Sequence, residues 1–159
     1  MRLRWTVAVA VLWGAGAPAQ TLLTPVNPCR VADTRSGQGF SGAFGPPSLA
    51  ANTERDFALP AAAGSCTVPG SAQSYLLNLT TVPPGPLASL AVWPVGQPYV
   101  GLSTLEAPTG AWTANTSLIP AGANGGIAVK PTAATDLLVD VSGYFDGNAA
   151  GLAFYPMSP

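Results

Sequence analysis

Residues 135–145 carry the pattern that most limits how this chain can fold. The odd positions from Leu137 to Val141 are all apolar, whereas Asp136 and Asp140 lie at even positions. A period of two residues is that of a β-strand with one face turned to an apolar core. A carboxylate on such a strand must reach solvent or meet a cation. The sequence therefore predicts a half-buried strand whose two acids need partners.

Further short strand signals follow one another along the chain, separated by turns rich in glycine and proline. The clearest is at residues 74–82, which are mostly β-branched, aromatic or leucine and end before Pro83. No stretch shows a sustained helical period with caps. Roughly seven to nine short strands predict a single antiparallel β-sandwich with Greek-key or jelly-roll connections. The other expected strands are 29–35, 55–59, 89–94, 111–119 and 126–130, with a short one at 102–105, an extended edge strand or linker at 22–28, and a long surface loop at 36–51.

The beginning of the chain has the order of a secretory signal peptide. Two arginines precede an apolar run at residues 5–13, and small residues lead up to Ala19. The run is shorter than the roughly 20 apolar residues of a spanning helix, which disfavours a membrane anchor. We therefore expect cleavage after Ala19 and an exported protein. The expected divisions are a signal peptide at 1–19, a β-sandwich module at 20–151, and a linker or the start of a second repeat at 152–159.

The end of the chain repeats a pattern found near its start. Residues 153–159 and 22–28 share a Pro-x-x-Pro frame and an apolar lead-in. This similarity indicates either a unit of a tandem array or a single module that keeps a spacer. Chance recurrence in a proline-rich chain is the alternative.

Charge composition argues against nucleic acid as a partner. Removing Arg2 and Arg4 with the leader leaves four basic residues against seven acidic ones, a formal charge of −3. A nucleic-acid surface needs clustered lysine and arginine, and Lys130 is the only lysine. Few charges and many apolar residues instead indicate an ordered, loop-rich β protein.

Cys29 and Cys66 are the only cysteines, and in an exported chain an even count predicts one disulfide. A zinc site is the alternative. Zinc prefers four ligands from Cys, His or acidic residues, and the chain contains no histidine. We therefore favour the disulfide and expect no metal or cofactor.

Several short motifs together resemble a module of secreted and surface-attached bacterial proteins. It begins with Cys-Arg-x-x-Asp-Thr-Arg, present at residues 29–35, and ends with Asp-x-x-Gly-Tyr-Phe, present at 140–145. The resemblance covers nearly all of the chain after the leader, and it implies a disulfide, a tandem arrangement and a surface location. It implies no catalytic residues, because no activity is established for such modules. Cys66 is followed by threonine where glycine would be expected, which affects only the local turn.

We predict structural ion pairing between the two motif strands. The residues selected for it are Asp33, Arg35, Asp136 and Asp140. We expect Arg35 to lie within salt-bridge reach of Asp140 or Asp136, because its strand is anchored by Cys29 and a guanidinium can bind a carboxylate through two hydrogen bonds. Its replacement by alanine is expected to destabilise the fold by about 3 kcal/mol. The alternative is a pair of carboxylates for glycoside hydrolysis, about 5 to 9.5 Å apart. Arginine beside the acids disfavours that alternative, because it neutralises them.

Trp93, Tyr99 and Trp112 form a candidate aromatic platform for a sugar ring, with Tyr99 expected to be the most exposed. Packing in the core is the alternative for these rings. Nucleophilic catalysis is disfavoured because the chain has no histidine to act as the base. We therefore expect a non-catalytic secreted or cell-surface structural or adhesion module, whose partner is a surface glycan, a protein or a neighbouring module. A carbohydrate-binding module and a carboxylate-based glycoside hydrolase are the alternatives.

Overall fold

The computed structural model describes residues 22–62, 66–147 and 151–153. Its strands form two antiparallel sheets packed face to face, so the predicted all-β sandwich is confirmed. The first sheet has five strands in the order β6 (Thr113–Pro120), β3 (Ser74–Val82), β8 (Asp136–Asp146), β1 (Leu22–Asp33) and β9 (Leu152–Ala153). The second has four strands in the order β2 (Arg55–Ala58), β7 (Gly126–Pro131), β4 (Leu87–Pro94) and β5 (Leu105–Ala107).

Most connections between consecutive strands cross from one sheet to the other. The chain stays within a sheet only from β4 to β5 and from β8 to β9. The helical elements of the described chain are three single turns of 3₁₀ helix, Gly42–Phe44, Leu59–Ala61 and Ala123–Gly125. No helix in the described ranges is long and apolar enough to cross a membrane.

Strand β8 is an interior strand of the five-stranded sheet, as the sequence predicts. It lies between β3 and β1 and pairs with both in antiparallel register. Leu137, Val139 and Val141 are fully buried in the core between the sheets. Asp136 and Asp140 are half-buried on the opposite face. The alternation of residues therefore positions two carboxylates on the outer face of this sheet.

Strand β1 is one continuous strand, whereas the sequence pattern suggests an extended segment followed by a separate strand at 29–35. Its pairing with β8 is irregular between Pro25 and Cys29 and again between Arg30 and Ala32. Proline has no N–H to donate to a ladder, so a strand containing it needs such irregularities or an edge position. The strand ends at Asp33, and the expected extension to residue 35 is wrong.

The disulfide between Cys29 and Cys66 is confirmed, with the two Cα atoms 5.5 Å apart. It joins β1 to the segment that leads into β3. Both half-cystines contact the main core, where Cys66 is buried. The covalent link therefore fixes the first motif strand against the centre of the sandwich.

The predicted surface loop at 36–51 is only partly at the surface. Leu49 is buried in the main core, and its backbone forms an isolated β-bridge with Thr135. A single leucine among glycine, serine and proline gives no periodic signal, so the sequence pattern missed this anchor. The expected strand at 102–105 is also displaced, since β5 begins at Leu105.

The expected signal peptide at 1–19 and the tail from residue 154 lie outside the described residues. Within the described ranges, no three His, Cys, Asp or Glu side chains come together as a set that could hold a metal ion.

Candidate functional site

A network of charged side chains covers part of the outer face of the five-stranded sheet. It begins with Arg30 on β1 and Asp140 on β8, which are direct cross-strand partners. Direct partners in an antiparallel pair project from the same face of a sheet. Nε of Arg30 donates to Oδ1 of Asp140 at 2.9 Å, and Nη2 donates to Oδ2 at 3.1 Å. The two strands that carry the motif start and end are thus joined by a bidentate ion pair.

Asp33 is the buried centre of this network, with a side chain only 1% exposed. Nη1 of Arg30 donates to its Oδ2 at 3.0 Å. Arg35 donates through Nε to Oδ1 at 3.0 Å, through Nη2 to Oδ2 at 2.7 Å, and through its backbone N–H to Oδ1 at 3.2 Å. A carboxylate with this set of donors is compensated for its loss of water.

The expected pairing of Arg35 with Asp140 or Asp136 is therefore wrong, because Arg35 pairs with Asp33 and Arg30 holds Asp140. The cause is the end of β1 at Asp33, which places Arg35 outside the ladder and lets it turn back to an acid two residues away. Asp136 accepts from the Thr34 hydroxyl at 2.9 Å and makes no ion pair with a described residue.

The pKa values of Asp33, Arg30 and Arg35 are each shifted toward the charged form. Burial alone would raise the pKa of Asp33, but the bonds from Arg35 and the charges of Arg35 and Arg30 outweigh it and hold that pKa below its ordinary value. The bond to Asp140 raises the pKa of Arg30, and the bond to Asp33 raises that of Arg35. A proton donor for glycoside hydrolysis needs a raised carboxyl pKa. Asp33 therefore has the wrong electrostatic environment for that role.

Arg30 and Thr34 are the members of this site that the sequence analysis did not select. Both lie inside the Cys-Arg-x-x-Asp-Thr-Arg motif, so their position was visible. The Thr34 hydroxyl accepts from the backbone N–H of Leu137 at 2.9 Å while it donates to Asp136, so it links the end of β1 to β8. Only the register of the two strands reveals which motif residues face each other.

The three candidate aromatic residues occupy two different places. Trp93 on β4 packs with Ala91 of the same strand and Ala128 of β7, on the face of the four-stranded sheet that points away from the main core. Its ring centroid is 5.0 Å from that of Tyr99, and its indole N–H donates to the carbonyl oxygen of Gln97 at 3.1 Å. Trp93 is only 8% exposed and is therefore packed beneath Tyr99.

Tyr99 is 47% exposed, and the ammonium of Lys130 lies 5.5 Å from its ring centroid. Trp112 directly precedes β6, an edge strand of the five-stranded sheet. It is the most exposed of the three aromatic residues, at 63%. The guanidinium carbon of Arg35 lies 5.5 Å from its ring centroid. Trp112 therefore borders the charged network, whereas Trp93 and Tyr99 form a small apolar cluster of their own.

A cavity of about 350 Å³ lies at the same end of the five-stranded sheet as this network. Its lining combines apolar residues with the acidic residue Asp136 and the hydroxyl-bearing residues Ser48 and Thr135. The remaining lining residues are Val82, Pro83, Pro84 and Ala134.

The fold and this site define a disulfide-linked β-sandwich whose motif residues tie its first and eighth strands together. No protein-family model, curated protein or solved structure matches the chain.

The ion pair between Arg30 and Asp140 is expected to contribute about 1 kcal/mol to stability, because it is bidentate but partly exposed to water. We predict this coupling energy from a double-mutant cycle of Arg30→Gln and Asp140→Asn, measured by urea unfolding. Raising the ionic strength to about 1 M should weaken it. Arg30→Gln combined with Glu106→Gln is the control, because Glu106 lies on β5 in the other sheet and the two changes should be additive. Additive effects for Arg30 and Asp140 would contradict the pairing.

Proposed function

We propose that this protein is a non-catalytic secreted or cell-surface module with a structural or adhesive role. The observation that carries the proposal is that the charged residues of the two motifs form ion pairs with one another. Arg30, Asp33 and Asp140 hold β1 and β8 together, and the pKa of Asp33 is lowered rather than raised. Such an arrangement stabilises a fold and is the reverse of what acid catalysis requires.

The disulfide supports a location in an oxidising compartment, where such bonds form and persist. The leader-like residues 1–19 give the same indication from the sequence. A sandwich with a covalent link suits a surface module, which meets proteases and changing conditions without chaperones. Neighbouring modules of the same kind, a surface protein or a glycan are the partners that fit this role.

Export is the first testable consequence. Expressed with its leader in a bacterial host, the protein should appear outside the cytoplasm as a chain beginning at Gln20, as read by intact mass. Leu12→Arg should block export, because a charge interrupts the apolar run of the leader. Arg4→Lys is the matched control and should be exported normally, because it keeps the positive charge before that run. Retention of the unprocessed wild-type chain in the cytoplasm would refute the secreted location.

The non-catalytic role has its own test. The purified mature protein should release no reducing sugar from bacterial envelope polysaccharides, and it should sediment with the envelopes. Hydrolysis by the wild type that is lost in Asp140→Asn, with the circular dichroism spectrum unchanged, would favour the hydrolase instead. A protein that remains in the supernatant would contradict the adhesive role.

A further inference from the structure

We propose that the end of the five-stranded sheet beside Trp112 is a binding site for a neutral oligosaccharide. The inference deepens the proposed surface role, on which it rests, by naming the class of partner. It depends on three features that meet at this end of the sheet: an exposed aromatic ring, polar groups of the motif network with unused bonding capacity, and the cavity beside Asp136.

Strand register brings the three features together. Thr113 pairs with Thr81 on β3, and Val82, the next residue, pairs with Asp136 on β8. Trp112 precedes Thr113 directly and therefore lies at the level of Val82, which lines the cavity. Thr34 and Arg35 follow β1, on the far side of β8 from Trp112. The Thr34 hydroxyl donates to Asp136, and the guanidinium of Arg35 lies beside the Trp112 ring.

Two loops make this end of the sheet compact. A Cβ added to Gly110 would lie 2.9 Å from the backbone carbonyl carbon of Gly85, so the loop before Trp112 packs tightly against the loop that follows β3. Gly110 also has φ +76°, a conformation that L side chains rarely adopt. Pro83 and Pro84 form the cavity wall in the second of these loops. The loop that leads to Trp112 is thus held against the loop that carries this wall.

The surroundings of Trp112 differ from those expected of a packed tryptophan. Trp112 is 63% exposed, and the guanidinium carbon of Arg35 lies 5.5 Å from its ring centroid, so much of the side chain remains open to water. Its indole N–H donates to no residue in the described ranges, whereas that of Trp93 is satisfied by Gln97. The apolar C–H face of a pyranose ring can cover such a surface, and its hydroxyl oxygens can accept from the indole N–H.

The polar groups beside the ring have the bonding capacity that sugar hydroxyls need. Asp136 uses Oδ1 to accept from Thr34, and no described residue donates to its Oδ2. Arg35 uses Nε and Nη2 for Asp33, and its Nη1 donates to no acceptor in the described part of the chain. One acceptor and one donor therefore remain at the edge of the site. A hydroxyl group can donate to the first or accept from the second.

The size and the charge of the site favour a neutral sugar chain. A volume of about 350 Å³ is at the lower end of the range of small-ligand pockets, roughly 300 to 1,000 Å³, and accommodates a single ring beside the one stacked on Trp112. The network has three carboxylates against two guanidinium groups, which disfavours a polyanionic glycan. Proline-rich peptides also bind aromatic surfaces, but their grooves are lined by several aromatic rings, whereas Trp112 is the only one in this site.

The test is a titration of the mature protein with cellohexaose, chitohexaose, xylohexaose and laminarihexaose. Trp93 and Trp112 are the only tryptophans after the leader, so ligand at Trp112 should change the fluorescence and reduce quenching by acrylamide. We expect saturable binding of at least one hexaose. Trp112→Ala should weaken that binding about 10-fold or more, Trp112→Phe should restore part of it, and Asp136→Asn should weaken it several-fold. Tyr99→Ala is the matched control, because Tyr99 is an exposed aromatic ring in the loop after β4, packed on Trp93, and the change should leave the affinity unchanged.

Four outcomes would overturn the inference. They are the absence of saturable binding up to about 10 mM, full binding by Trp112→Ala, loss of binding in Tyr99→Ala, and binding of a proline-rich peptide that competes with the hexaose. Protection from acrylamide in the wild-type protein needs no variant, so a variant that fails to fold does not remove the test. Export of the protein is measured separately. A module that is exported but binds no sugar refutes only this inference, and one that binds sugar but stays in the cytoplasm refutes only the surface role.

Discussion

Replacing both Cys29 and Cys66 with serine is expected to lower the free energy of unfolding by about 4 kcal/mol. The disulfide closes a loop with a sequence separation of 37 residues, and the chain-entropy model assigns about 3.8 kcal/mol to a cross-link of that length. Both positions contact the main core, and Cys66 is buried, so a serine hydroxyl there would lose its contact with water. For a domain of this size, the loss corresponds to a decrease in Tm of roughly 10–15 °C.

Thermal and urea unfolding of the oxidised protein, the reduced protein and the double-serine variant would measure this effect. Reduction of the wild type should reproduce most of the change, because it removes the same cross-link without altering side-chain volume greatly. The single variant Ser142→Cys, which adds a thiol on β8 and leaves the native cross-link in place, controls for thiol chemistry during the measurement. A decrease below about 1 kcal/mol would mean that the unfolded chain is already restricted in this region.

Asp33→Asn is expected to destabilise the protein by about 3 kcal/mol, because it removes the charge at the buried centre of the network. Arg30 and Arg35 both donate to Asp33, and losing one partner of a buried pair typically costs 3–5 kcal/mol. The amide keeps one acceptor oxygen, which places the effect at the lower end. Asp56→Asn is the matched control, because Asp56 is an exposed acid on β2, and it should change stability by less than about 0.5 kcal/mol. Arg35→Ala should also destabilise, by about 3 kcal/mol, through the loss of its bonds to Asp33.

The pH dependence of stability provides a second measurement for Asp33. Its pKa is lower in the folded protein than the ordinary value of 3.8, so the unfolded chain binds more protons in the interval between the two. The contribution of Asp33 is therefore fully present above the ordinary value and is lost as the pH falls through the folded value. Asp33→Asn should lack this part of the acid dependence. An unchanged acid limb in the variant would show that Asp33 does not carry the charge that the geometry assigns to it.

Particular residues show how far the sequence could predict the candidate site. Asp33, Asp140 and Arg35 were selected from it because charged residues are rare in an apolar chain and must find partners. The choice of Arg35 for Asp140 was wrong, since counting alternate positions assumes an uninterrupted strand. The irregularity between Arg30 and Ala32 and the end of β1 at Asp33 break that assumption. The expectation that Tyr99 is the most exposed ring is wrong, since Trp112 is 63% exposed and Tyr99 47%. Exposure depends on what the rest of the chain places over each residue.

The sequence by itself determined the class of the fold, the interior strand at 135–145 and the disulfide. Those features depend on local alternation of apolar residues and on having only two cysteines, so they can be read without knowing which segments meet. Tertiary structure alone decided that Arg30 faces Asp140, that Leu49 is buried and that Arg35 lies beside the ring of Trp112. Each of these depends on pairing between segments far apart in the chain, where a shift of one residue turns every side chain to the opposite face of the sheet.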